Sequence, residues 1–318
     1  GHAYTTIACD IIARYNKLLG KDVYFLTGTD EHGQKVEKAA ISASLNPQDF
    51  VDKMSINFQN LVSFLNCETN DFIRTTEKRH IESTQAFWQK LLDNKQIYLS
   101  NYEGWYSIRD EAFYSENELT KKNGKYIAPS GAEVEWVKEE SYFFKLSEWQ
   151  DKLIDYYSSN PEAILPKSRF NEVLSFIKSG LKDLSISRTT FKWGVPVPNN
   201  KNHVMYVWTD ALINYVTSIG YPNVKNKFFD KYWPGTHIVG KDILRFHSVY
   251  WPAFLMAADL DPPSRVFAHG WWTNEGQKIS KSIGNIIDPY DIVSKYGLDQ
   301  IRFFLFREVP FGNDGDFA

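Results

Sequence analysis

Cysteine is scarce. The 318 residues hold two, Cys9 and Cys67, far apart in the chain. That excludes a disulfide framework and a CxxC-type zinc knuckle, and it fits a reduced compartment. An excess of one charge is lacking too: 36 Lys+Arg against 39 Asp+Glu give a formal net charge of −3. With no global basic field, a nucleic-acid partner has to be met by a local patch. No apolar run reaches the roughly 18 residues that a membrane-spanning helix needs. The opening "GHAYTTIACDII" lacks the basic-then-apolar layout of a signal peptide. Repeats and low-complexity stretches are missing, and so is an initiating methionine. The chain starts inside an apparent helix and stops on the loop-like "PFGNDGDFA", so a fragment of a longer protein is expected. What is abundant is core material, 43% hydrophobic and 16% aromatic, enough for one large domain or two smaller ones.

Helical and extended signals alternate at first. Residues 5–19 carry Ile7, Ala8, Ile11, Ile12, Tyr15, Leu18 and Leu19 at helical spacing, with Gly20 placed to end the helix. "VYFL" (23–26) reads as a buried strand, followed by the loop "TGTDEHG" and a helix from about Gln34. Asn46 and Pro47 read as the cap and first residue of another helix, with Phe50, Met54, Phe58, Leu61 and Leu65 on one face. A further helix is expected over 79–93. The texture changes near Tyr98. Up to about Pro198 the chain is rich in Tyr, Trp, Ser, Glu and Lys, with a hairpin signal at Asn123-Gly124, an alternating "EVEWV" and a helix near 147–158. From Met205 the alternation resumes: "VMYVW" (strand), 210–219 (helix), "THIVG" (strand), 243–258 (helix), "RVFAHG" (strand). The expected architecture is α/β, a doubly wound parallel sheet with an inserted α+β domain.

Ligands of parallel sheets bind where strands end. Four strand ends carry conspicuous residues: Asp30, Glu31, His32 and Gly33; Trp208, Asp210 and Ala211; Gly240, Lys241 and Asp242; His269, Gly270, Trp271 and Trp272. Asp210 and Asp242 each read equally as helix N-caps, but four polar clusters at successive ends would line one crevice. Ile243, His247 and Trp251 stand at i, i+4 and i+8, and Ala211, Leu212 and Tyr215 share a second helix face. With Trp208 they describe a slot suited to an unbranched, polarizable side chain such as a thioether, with Asp30 free to hold an ammonium group. "GQKISKSIGN" (276–285) on its own reads as a solvated turn. At a crevice rim, Lys278 and Lys281 are placed to clamp phosphate oxygens, and His2 lies at a helix start, where anions are held. Together these residues point to phosphate-centred chemistry by positioning and electrostatics.

These stretches resemble the methionyl-tRNA synthetases, which are class I aminoacyl-tRNA synthetases. Gly1-His2 is similar to the second half of the family's "HIGH" motif, and "KISKS" (278–282) to its "KMSKS" motif. "GTDEHG", "YVWTDALINY", "IVGKDILRFHSVYWPA", "HGWWTNEGQKISKSIGN" and "REVPFGNDGDF" resemble longer blocks of the family. The resemblance implies a Rossmann-like catalytic domain over 1–97 and 199–270, a connective peptide insertion over 98–198, and the signature loop with the start of a stem-contact region over 271–318. It implies ATP-dependent activation of L-methionine, with Mg2+, and transfer to tRNA(Met). Asp30 would take the methionine ammonium, with Trp208, Ala211, Leu212, Tyr215, Ile243, His247 and Trp251 forming the side-chain pocket. Gly1, His2, Gly240, Asp242, His269, Gly270, Trp272, Lys278 and Lys281 would bind ATP, and His2, Lys278 and Lys281 would act in catalysis. Arg188, in "SISR", matches a position near the rim of the site. The chain also departs from the family. With no cysteine after Cys67, the knuckle expected at "GWYSIRDEAFYSENEL" and the Asn123-Gly124 hairpin is metal-free, without structural zinc. The first half of "HIGH", the strand before it and the anticodon-binding domain are missing. The implied location is cytoplasmic, of bacterial type, or organellar, without membrane association. A class I synthetase for another amino acid, or a non-catalytic synthetase-like binding module, are the competing readings.

Overall fold

A computed structural model describes residues 1–279 and 284–317. The first helix, α1 (His2–Leu18), forms as expected and is left through Gly20 in left-handed geometry, φ 76°. Its N-terminal half is buried through Tyr4, Ile7 and Ala8, whereas Ile11, Ile12, Tyr15 and Leu18 stay exposed. The next strand lies three residues beyond the expected 23–26. β1 (Leu26–Thr29) pairs in parallel with β2 (Asp71–Arg74), from Leu26 opposite Asp71 to Thr29 opposite Arg74. At Phe25 the ladder is replaced by Asn70, whose backbone amide donates to the Phe25 carbonyl and whose side-chain oxygen accepts from the Phe25 amide, both at 2.8 Å. The apolarity of "VYFL" therefore marks burial rather than pairing. Helices α2 (Gln34–Ser42) and α3 (Pro47–Phe64) follow, the latter capped by the Asn46 side chain accepting from the Asp49 amide at 2.8 Å. Then comes α4 (Lys78–Asp93).

The inserted sheet is built on β3 (Ile97–Ser107) and β4 (Glu135–Phe144), antiparallel from Ile97 opposite Phe144 to Tyr106 opposite Glu135. The Asn123-Gly124 hairpin forms, with φ of 52° and 78°, the two positive values that a type I′ turn demands. The stretch 98–198 does not stay within this sheet. β5 (Ile164–Leu165) pairs in parallel with residues 266–267 and so supplies a strand to the parallel layer.

"VMYVW" is corrected. β6 (Asn200–Met205) is antiparallel to 187–188 and to 196–197, and the chain is already helical at α5 (Val207–Ala211), followed by α6 (Asn214–Thr217). Short apolar runs of buried helix and buried strand carry the same periodicity signal. β7 (Thr236–Gly240) appears where expected. The expected helix over 243–258 is not regular: a 3₁₀ turn at Lys241–Ile243 and a π-turn at Phe246–Tyr250 precede α7 (Trp251–Ala257). Pro252 explains part of this. It has no N–H to give to the Ser248 carbonyl, and the Tyr157 hydroxyl donates there instead, at 2.5 Å.

β8 (Arg265–His269) runs parallel to β7, from Thr236 opposite Arg265 to Gly240 opposite His269. Among the described residues the parallel pairings thus fall in three pieces, β1–β2, β7–β8–β5, and residues 272–274 beside 315–317. The main core joins helices and insertion through Trp88, Phe144, Leu153, Trp251 and Phe254. A smaller core around Tyr4, Ile7, Val62 and Leu65 binds α1 to the last helix, α8 (Leu298–Arg307), which follows β9 (Trp272–Asn274).

Candidate active site

The C-terminal ends of β1, β7 and β8 and the start of α1 open into one cavity of about 590 Å3. Gly1, His2, Asp30, Trp208, Ala211, Leu212, Tyr215, Gly240, Asp242, Ile243, His247, His269, Gly270, Trp272 and Lys278 all line it. Trp251 does not, and Lys281 lies outside the described residues.

The apolar end is a set of locked rings. Trp208 stacks on Phe246 at 4.0 Å with planes 10° apart. The His247 Nδ1 lies 2.9 Å from the Ile243 carbonyl, so it donates; its Nε2 must then accept, and the Tyr215 hydroxyl donates to it at 2.6 Å. Burial holds His247 down to about 4, neutral at ordinary pH. Behind Tyr215 stands a histidine absent from the expected site. His237 stacks on Tyr215 at 4.1 Å, accepts the Trp251 indole N–H at 3.1 Å, and is held by burial at about 3. Trp251 is fully buried in this second layer. The π-turn accounts for its place: an i+5 turn winds more slowly than an α-turn, so the expected shared face of residues 243, 247 and 251 is lost.

The loop "TDEHG" divides its side chains. Asp30 is exposed into the cavity, where desolvation by the surrounding walls, then Glu111 and Asp210, raise its pKa. Glu111, from the inserted sheet, is itself raised to about 7, first by burial. Such crowding of carboxyl groups favours a cation alongside Asp30. Glu31 turns the other way. It is buried and takes two bonds from the Arg74 guanidinium, each 2.9 Å, and one from Thr76 at 2.8 Å. Trp193, also absent from the expected set, clasps the loop: its indole donates to the Glu31 carbonyl at 2.7 Å, and its own carbonyl accepts from Gly33 at 2.9 Å. No sequence signal marks it.

The polar end gathers around β7 and β8. His2 is exposed into the cavity, where desolvation by the surrounding walls lowers its pKa, with Asp242 opposing. His269 donates from Nδ1 to the Gly270 carbonyl at 2.8 Å, leaving Nε2 to accept from Thr5 at 2.7 Å. Gly270 has to be glycine, because a Cβ there would fall 2.2 Å from the Asn313 carbonyl oxygen. Trp271 carries two ammonium groups near its ring, Lys241 at 4.3 Å and Lys278 at 4.2 Å. Asp314 holds Lys241 at 2.8 and 2.9 Å and accepts from the Trp271 amide at 2.7 Å. Arg188 lies outside the cavity lining, buried beside Glu139 with its guanidinium 4.2 Å above the Tyr106 ring. Among the described residues no group of three or more His, Cys, Asp or Glu is arranged to hold a metal, and no helix is long and apolar enough to cross a membrane.

Comparison with known proteins adds to this geometry. The family model described as "tRNA synthetases class I (M)" matches residues 1–318. The methionine--tRNA ligase of Rickettsia felis is 62% identical over 319 residues, spanning 100% of this chain and 62% of the relative. That of Brucella suis is 55% identical, with the same coverage. The chain therefore spans less than two thirds of these relatives' length. The crystal structure of Mycobacterium tuberculosis methionyl-tRNA synthetase bound by methionyl-adenylate matches with a TM-score of 0.97 and 50% identity, over 100% of this chain and 63% of that one. The apo form of that enzyme matches with a TM-score of 0.84 and 46% identity, over 100% of this chain and 60% of that one.

Proposed function

The chain belongs to the class I tRNA synthetases (M), and we propose that it activates L-methionine with ATP and passes the aminoacyl group to tRNA(Met). The observation that carries the proposal is the single cavity in which an ammonium-accepting carboxylate, an aromatic slot and a phosphate-facing helix start meet. The bound methionyl-adenylate of the M. tuberculosis relative supports it, since that molecule would span both ends of such a cavity.

Asp30 takes the ammonium group. Trp208, Ala211, Leu212, Tyr215, Ile243 and His247 hold the thioether side chain, with Trp251 as backing. Gly240 and Asp242 face the ribose, and Gly1, His269, Gly270 and Trp272 lie along the nucleotide. A methionine carboxylate oxygen attacks the α-phosphorus, the bond to the β-phosphate breaks, and pyrophosphate leaves. His2, Lys278 and Lys281 stabilise the charge that develops on those oxygens, so catalysis rests on positioning and electrostatics. In the second step a terminal adenosine hydroxyl of tRNA attacks the activated carbonyl, an ester forms and AMP leaves. Mg2+ would enter with the triphosphate and neutralise its charge. Such an ion draws ligands from water, phosphates and one or two carboxylates, and Asp242 lines that end of the cavity.

The division into 1–97, 98–198, 199–270 and 271–318 is proposed as the domain order, with β5 lent by the insertion to the parallel layer. The insertion is proposed to need no zinc, and the location to be cytoplasmic. Amino-acid-dependent ATP–pyrophosphate exchange of the complete encoded protein, run against all twenty amino acids, tests the proposal. Exchange with methionine alone is expected. Exchange with another amino acid would overturn the substrate, and no exchange from folded protein would favour a binding module.

A further inference from the structure

Trp208, Ala211 and Leu212 fall at i, i+3 and i+4, and so share the cavity face of α5 and the turn after it. Asp210 lies between them in sequence and points away from the cavity into the protein, where it is fully buried. A buried carboxylate is costly unless it is paired and hydrogen-bonded. This one accepts two bonds, one from the loop after β1 and one from α4, which lies behind the cavity. The His32 Nδ1 lies 2.6 Å from Oδ2, and the His80 Nε2 lies 2.6 Å from Oδ1. His32 follows Asp30 by two residues on the loop after β1. His80 stands in the first turn of α4, and α4 is tied in turn to α6 by the Thr217 hydroxyl, which donates to Ser83 at 2.8 Å. His80 is steadied further by Thr84 at 3.1 Å. Burial alone would raise Asp210, but the two imidazoles hold it at about 2, so the charge persists. Charge-assisted bonds of this length are the strong ones, and here they join three elements through one carboxylate.

We propose that Asp210 is a positioning residue for the amino-acid substrate: through His32 and His80 it fixes the spacing between Asp30 and the wall of Trp208, Ala211 and Leu212. The proposal rests on the methionine reading of the cavity. It requires the ammonium and the side chain of one molecule to be held together, which a shift of either wall would uncouple. Among the described residues the bonds of this network do not extend to Gly240, Asp242, Gly270 or Trp272, so the nucleotide end should be indifferent to it.

The test is calorimetric titration of methionine and, separately, of ATP into the complete encoded protein and its Asp210→Ala and Asp210→Asn variants, with circular dichroism to confirm folding. Asn can accept from one imidazole and donate to the other after a tautomer change, so it restores the bonds without the charge. The expected result is a methionine Kd raised by about tenfold or more in Asp210→Ala and by less in Asp210→Asn, with the ATP Kd within about twofold of the parent in both. Equal weakening of methionine and ATP would mean general damage and overturn the proposal. So would an unchanged methionine Kd in folded Asp210→Ala or, if that variant does not fold, in folded His32→Ala, which removes the bond to the loop that carries Asp30. A parent protein that fails to bind methionine would instead sink the substrate reading on which the proposal stands.

Discussion

At the scale of single residues, burial sets the chemistry of the cavity floor. His237 and His247 protonate near 6.5 in an unfolded chain but only at about 3 and about 4 in the fold. As pH falls through 6.5 the unfolded chain binds protons that the folded chain refuses. Stability contributed by these histidines is therefore complete above about 6.5, drops as pH falls, and is fully lost below the folded values. Each should cost on the order of 1–2 kcal/mol by pH 5. Urea unfolding at pH 7 and pH 5 checks this: His237→Asn should lose less stability between the two than the parent does. Equal losses would mean that His237 does not resist protonation. Asp30 and His247 were legible in the sequence because each stands in a motif at a strand end or helix face. Trp193 and His80 were not, because their partners Glu31 and Asp210 lie far away along the chain. Only the fold reveals which distant side chain completes a motif.

Elements were legible where local signals agree with tertiary demand, as in α3, where Asn46 and Pro47 start the helix that the structure contains. They failed where a tertiary partner overrides the pattern. Asn70 takes the place of a strand beside Phe25, and Pro252 with the π-turn carries Trp251 out of the slot. The short strand at 277–278, antiparallel to β9, brings Lys278 over the Trp271 ring at 4.2 Å. A cation–π contact of this kind is worth roughly 0.5–2 kcal/mol, enough to hold a lysine in place between turnovers. Trp271→Leu should lower kcat for pyrophosphate exchange several-fold while leaving the methionine KM unchanged, and Trp271→Phe should retain most of the rate. Equal rates in the leucine variant and the parent would show that Lys278 finds its place without the ring.

On the scale of the whole molecule, the cavity depends on α8 staying docked, because the first turn of α1 lines it and α1 packs on α8. The Tyr4 ring stacks on Phe306 at 4.9 Å. Deeper along the same face, Asp10 is fully buried and accepts from Arg302 at 2.5 Å, Arg14 at 2.8 Å and the Glu68 amide at 2.7 Å. Arg302 also donates to the Leu65 carbonyl at 2.8 Å. One guanidinium thus joins α8, α1 and the end of α3. Breaking a buried pair by removing one partner typically costs about 3–5 kcal/mol, because the other charge stays behind uncompensated. Here Arg14 and Glu68 still serve Asp10, so the expected cost of Arg302→Met lies nearer 2 kcal/mol, a Tm lower by several degrees. Lys125, paired with Glu133 where both side chains are about two-thirds exposed at 65% and 66%, is the contrast. Lys125→Ala should stay within about 0.5 kcal/mol of the parent. If α8 supports the cavity through α1, Arg302→Met should also lose exchange rate at temperatures well below its own Tm, while Lys125→Ala should not. A variant that melts early yet exchanges at the parent rate would confine Arg302 to stability. One that melts with the parent would mean that aromatic packing alone keeps the last helix in place.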